Sequence, residues 1–122
     1  MDGTALITEY WRTCEARDWE AFGALVAPDI VYREPQTREI VRGREDYVAF
    51  NQTYPGDWHI TVERVIAHDG DGVSWTSVVV GDESMTGLCF FRFEDGVITE
   101  IDDFWPEPYE PPAREVPVVD RY

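Results

Sequence analysis

Two carboxylates sit among apolar and aromatic residues in this chain, each near the end of a predicted strand. Glu34 closes the run Asp29-Ile30-Val31-Tyr32-Arg33-Glu34 and stands directly before Pro35. Asp103 lies in Ile98-Thr99-Glu100-Ile101-Asp102-Asp103-Phe104-Trp105. Alternation along a strand puts Tyr32 and Glu34 on one face, and Ile101, Asp103 and Trp105 on one face of the other. An acid flanked on its own face by a large ring either points to solvent across a sheet edge or is desolvated in a pocket. Only the second case raises its pKa and makes it a proton-transfer group. The competing reading for Glu34 is a strand-end acid paired with Arg33, Arg38, Arg42 or Arg44. For Asp103 it is a place in a solvated acidic run with Glu100 and Asp102.

Other polar residues add less. Tyr10 is a candidate hydroxyl donor, or else one more ring on the core stripe of a helix. His59 begins a strand beside Trp58, and His68 belongs to the turn His68-Asp69-Gly70-Asp71. That turn lacks the remaining ligands and closing Glu of a calcium loop. With two scattered His and two scattered Cys no metal cluster is expected, and no Gly-rich phosphate loop or nucleophile elbow is visible. All ten basic residues are Arg. Without Lys, neither a Schiff-base lysine nor a P-loop is available.

The elements that must hold the acids are readable from periodicity. Leu6, Ile7, Tyr10, Trp11 and Cys14 recur at three and four, predicting a helix over about residues 4–16. Asp18 caps a second helix carrying Phe22, Leu25 and Val26, which Pro28 stops. Residues 30–34 form a short strand. Gly43 precedes a third helix with Tyr47, Phe50 and Tyr54 on one face, ended by Pro55-Gly56. Strands over 58–68, 73–80, 84–94 and 97–105 are separated by short Asp/Gly turns, the pattern of an antiparallel meander. Helices first and a sheet after is an α+β order.

At 122 residues the chain is long enough to bury roughly two thirds of its unfolded surface. Its 10 basic residues against 25 acidic ones give a net charge of −15, a field that repels nucleic acid and anionic lipid. No apolar run approaches the ~20 residues of a membrane span. The N-terminus carries no basic, apolar leader. Cys14 and Cys89 read as buried reduced thiols, so a cytoplasmic location is expected. Five of the 17 residues from Pro106 to Tyr122 are Pro, which rules out a helix or central strand there. Tyr109, Val116, Val118, Val119 and Tyr122 make that tail too apolar for simple disorder. It is expected to be an ordered arm packed across its own domain or on a second subunit. Val78, Val80, Leu88 and Phe90 are expected to alternate onto the outer face of the sheet and to form a homodimer contact.

The order of helix, helix, strand ending in acid-Pro, Gly-led helix and closing meander resembles the nuclear transport factor 2-like fold, over about residues 4–105. Within it the chain is most similar to the SnoaL-like and ketosteroid-isomerase-like branch. The resemblance implies a cone-shaped α+β fold, three N-terminal helices packed on a curved antiparallel sheet, forming a domain over 1–105 with a Pro-rich arm over 106–122. By the same resemblance Glu34 takes the position of the catalytic base and Tyr10 that of the oxyanion-hole tyrosine. Phe91-Arg92-Phe93 is similar to the family's Phe-Arg-Phe strand. The carboxylic acid expected two residues before it is Cys89 here, a poor hydrogen-bond donor. In the polyketide-cyclase branch the working acid lies on the last strand beside a tryptophan, and Asp103 matches it.

Together these readings give the expectation of a small enzyme that needs no cofactor. Its cavity would be lined by Tyr10, Tyr32, Phe50, Tyr54, Trp75, Phe91 and Trp105, with His59, Cys89 and Ile101 in the same candidate set. Glu34 or Asp103 would take a proton alpha to the carbonyl of a hydrophobic small molecule, and a tyrosine hydroxyl would hold the enolate. Isomerisation, cyclisation, dehydration and hydrolysis all fit. The alternative is a non-catalytic ligand-binding or dimerising module of the same fold.

Overall fold

A computed structural model describes residues 1–122. Helix α1 (Gly3–Ala16) starts where the Asp2 side chain accepts from the Ala5 N–H, and it ends at Arg17, which is left-handed with φ 59°. Its apolar stripe, Leu6, Ile7, Tyr10, Trp11 and Cys14, is buried along its length. Helix α2 (Trp19–Ala24) is capped by Asp18 and is too short to persist alone. Tertiary packing holds it, chiefly the Phe22 ring 4.9 Å from that of Tyr10.

Strand β1 spans Val26–Glu34, β2 Glu39–Arg42, helix α3 Arg44–Gln52, then β3 Trp58–His68, β4 Asp71–Val80, β5 Glu83–Glu94 and β6 Val97–Phe104. They form one six-stranded sheet in the order β2-β1-β6-β5-β4-β3. The expected meander is β3 to β6. Three expectations need correction. The sheet is mixed, because β1 pairs with β6 in parallel. The second helix stops at Ala24, and Pro28 lies inside β1 rather than ending a helix. Register between β1 and β6 breaks between Val26 and Val31, so the proline that cannot donate sits where no ladder bond is required. Strand β2 was not expected. It returns from the turn after Glu34, with Arg38 at φ 65°.

Shifts of register at Glu63 in β3, and at Thr99 in β6 opposite Arg92 and Phe93, bend the sheet around the helices. Two glycines permit close approach. A side chain at Gly72 would meet Ile7 of α1 at 2.6 Å, and one at Gly87 would meet the Trp105 ring at 3.2 Å. Gly87 is therefore what lets Trp105 lie across the concave face.

The two faces of β4 are assigned opposite to expectation. Val78 is buried and Val80 half-buried, both pointing inward. Leu88 and Phe90 do lie on the outer face, where Trp75, 47% exposed, sits opposite Leu88. Phe90, 49% exposed, packs edge-on against Phe104. Residues from Trp105 onward form no helix or strand. Tyr109, Val116, Val118, Val119 and Tyr122 are all exposed, so the arm does not pack its apolar side chains on its own domain. No helix is long and apolar enough to cross a membrane.

Candidate active site

Three strands converge on one carboxylate. Asp103 on β6 is the direct antiparallel partner of Cys89 on β5, and both side chains point to the concave face. Tyr32 on β1 pairs with Ile101, two residues before Asp103 on the same face, and so its hydroxyl reaches the acid. Tyr32 donates to Asp103 Oδ2 at 2.5 Å, Trp105 Nε1 to the same oxygen at 3.1 Å, and the Cys89 thiol to Oδ1 at 2.9 Å. Asp103 is 5% exposed. Burial raises its pKa above the usual carboxylate range, and these three donors oppose the rise.

Glu34 lies two residues beyond Tyr32 on the same face and is half-buried. Its pKa is also raised, first by burial, then by Asp103 and Glu39. None of the arginines near it in sequence neutralises it. Arg33 points across the strand to Glu100 at 3.5 Å and Asp102 at 3.8 Å, and Arg44 donates to the Val26 carbonyl. Arg38 and Arg42 make no ion pair with it. The salt-bridged reading of Glu34 is thereby set aside.

Both acids border a cavity of about 480 Å³ between α1, α3 and the concave sheet. Tyr10, Tyr32, Phe50, Tyr54 and Trp105, expected there, line it. Tyr10 does not present a lone hydroxyl, however, because its oxygen is hydrogen-bonded to that of Tyr47 on α3. Both tyrosines are buried, and burial holds both hydroxyls protonated far above neutral pH. Of the two hydroxyl protons, the mutual bond uses one.

Other expected lining residues lie elsewhere. Phe91 and Ile101 are buried core side chains outside the lining. Cys89 sits beside Asp103 on the neighbouring strand and donates its thiol to that acid, outside the cavity lining. Trp75 is on the outer face. His59 is exposed, 2.9 Å from Glu15 and 3.1 Å from Asp57; Glu15 and then Asp57 raise its pKa. Alternation explains the miss, since His59 outward means Trp58 and Ile60 inward, and those two line the cavity. Tyr47 shares the helical face of Phe50 and Tyr54, a signal that was available. Gln36, whose amide bonds the Trp105 backbone, and Glu107 complete the mouth.

The chain matches the SnoaL-like domain family over residues 7–101. No curated protein matches it. Among solved structures it is similar to a candidate ketosteroid isomerase from Kribbella flavida DSM 17836, at 43% identity and a TM-score of 0.95, covering 98% of this chain and 88% of that one. It is also similar to a nuclear transport factor 2-like protein of unknown function from Burkholderia xenovorans LB400, at 18% identity and a TM-score of 0.83, covering 97% and 93%. A candidate polyketide cyclase from Xanthomonas campestris pv. campestris is 22% identical with a TM-score of 0.68, covering 84% of this chain and 89% of that one.

Proposed function

Because this chain belongs to the SnoaL-like domain family, with the nuclear transport factor 2-like fold, we propose that it is a small enzyme working by carboxylate acid/base catalysis on a hydrophobic, carbonyl-bearing molecule. The observation that carries the proposal is Glu34. It is an acid in the wall of an aromatic cavity, with a raised pKa and no cationic partner. Its carboxylate takes the proton alpha to the carbonyl, and the bond pair moves onto the carbonyl oxygen. The other hydroxyl proton of the Tyr10–Tyr47 pair then hydrogen-bonds the enolate oxygen. Return of the abstracted proton from the Glu34 carboxyl to another carbon completes an isomerisation; alternatively the enolate carbon attacks a second carbonyl of the same molecule, whose oxygen takes the proton, and this completes a cyclisation. Asp103 is the positioning residue here. Its oxygens already accept from Tyr32, Trp105 and Cys89, and its charge adds to burial in keeping the proton affinity of Glu34 high. No step calls for a cofactor.

The likeness to the candidate ketosteroid isomerase supports this class of chemistry. Cys89, aimed at Asp103, speaks for an oxyanion site built from tyrosines alone. A second reading, a non-catalytic ligand-binding or dimerising module, draws on Asp103, whose oxygens are bonded much as a structural acid's would be. We also propose a homodimer through the outer face around Trp75 and Phe90, and a cytoplasmic location consistent with two free buried thiols. Native mass spectrometry of protein purified from its own host tests the ligand class. A bound apolar molecule with a carbonyl and an adjacent C–H agrees with the proposal, and a ligand with no such C–H contradicts it.

A further inference from the structure

The charges in the cavity wall are all of one sign. Glu34, Asp103 and Glu107 line it, and no Arg, Lys or His does. Arg17, which stacks on the Trp58 ring at 3.4 Å, is outside the lining and pairs with Glu15. The three acids differ in depth. Asp103 on the floor is buried and bonded by three donors. Glu34 is half-buried, Glu107 is exposed, and neither has an ion pair or a side-chain hydrogen bond. Uncompensated negative charge therefore lies toward the mouth. The rings there are open to a guest, with Tyr54 51% exposed and Trp105 half-buried.

A neutral guest filling this cavity would strip water from Glu34 and Glu107 and return nothing to them, which is costly for an acid. A guest with a positive nitrogen supplies the missing counter-charge and meets aromatic faces that attract it. We infer that the ligand is a hydrophobic molecule bearing a positively charged nitrogen, an amine or a quaternary ammonium, seated at the mouth between Glu34 and Glu107 and against Tyr54 and Trp105. This rests on the cavity being a ligand site and narrows the class of substrate proposed above. A cation so placed also holds Glu34 ionised, the form in which it accepts a proton.

Two alcohols of matched shape test the inference, 4-(trimethylammonio)benzyl alcohol and 4-tert-butylbenzyl alcohol, which differ by one charge. Each is titrated into the intact protein at fixed physiological salt, followed by tryptophan fluorescence. The cation is expected to bind at least about tenfold more tightly, and Glu34→Gln and Glu107→Gln are each expected to narrow that ratio. Equal binding, or tighter binding of the neutral alcohol, overturns the inference and leaves the cavity as a ligand site. A preference unchanged in both variants also overturns it, because the charge discrimination then comes from the general field of an acidic protein. Failure of both alcohols to bind overturns the reading of the cavity itself.

Discussion

The hydroxyl of Tyr32 lies 2.5 Å from Oδ2 of Asp103, joining β1 to β6 across the parallel pair in the sheet. A donor that short onto a buried carboxylate is a strong hydrogen bond. Tyr32→Phe leaves the ring packing intact and takes one of three donors from Asp103. Stability is expected to fall by about 1 to 3 kcal/mol in chemical denaturation. A loss under about 0.5 kcal/mol would mean that the bond contributes little in solution.

The two acids should respond differently to neutral replacement. Asp103→Asn presents an amide N–H to side chains that all donate, so at least one buried donor loses its acceptor. A loss of about 1 to 3 kcal/mol is expected. Glu34→Gln, half-exposed and with no donor to disappoint, should be at least as stable as the wild type at neutral pH. Equal destabilisation by the two substitutions would contradict the distinction drawn between a positioned acid and a free one.

Stability should depend on pH in a direction set by the raised acid. The folded pKa of Glu34 lies above its unfolded value, near 4.5. Its contribution is therefore fully present below the unfolded pKa and is lost as pH rises through the folded one. Subtracting the Glu34→Gln profile from that of the wild type isolates this acid from the other carboxylates. The wild type should lose stability relative to the variant as pH rises from about 4 toward neutrality. A flat or opposite difference would show that Glu34 is not desolvated.

The outer face of the sheet should carry a contact between two copies. Trp75 and Phe90 are about half-exposed there, opposite the helices. Phe90→Glu is expected to give a ~14 kDa particle in sedimentation at micromolar concentration, where the wild type gives twice that. If the exposed apolar residues of the arm dock on the second copy, deletion of residues 108–122 weakens the dimer as well. A wild-type monomer at that concentration would remove the proposal.

Some of this was legible and some was not, for identifiable reasons. The stripe of α1 and the Asp/Gly turns of the meander are local patterns, and the elements they predict are present. The short β2 strand, Glu39–Arg42, carries a charge at each end and only two apolar residues, too little for a periodic signal. The pairing of β1 with β6 joins the two ends of the domain, and no local pattern encodes it. Alternation separated the two faces of β4 but could not say which was inward, because Val78 and Val80 on one and Trp75 and Val79 on the other are all apolar. At Trp58 and His59 the histidine has the more reactive side chain, while the tryptophan faces the cavity. Each acid combines a strand end with a same-face aromatic, a pattern readable from the sequence, and both border the cavity.

The central claim, that Glu34 moves a proton at carbon, is tested most directly by solvent exchange. A panel of hydrophobic cyclic ketones, some bearing a tertiary amine, is incubated in D2O with wild type and Glu34→Gln, and α-deuteration is followed by NMR. Wild type is expected to exchange at least one ketone well above background, with a rate that rises as pH passes through the raised pKa of Glu34. The variant should retain folding and binding of the uncharged ketones of the panel but lose at least about a hundredfold in exchange rate. Undiminished exchange in Glu34→Gln would contradict the account.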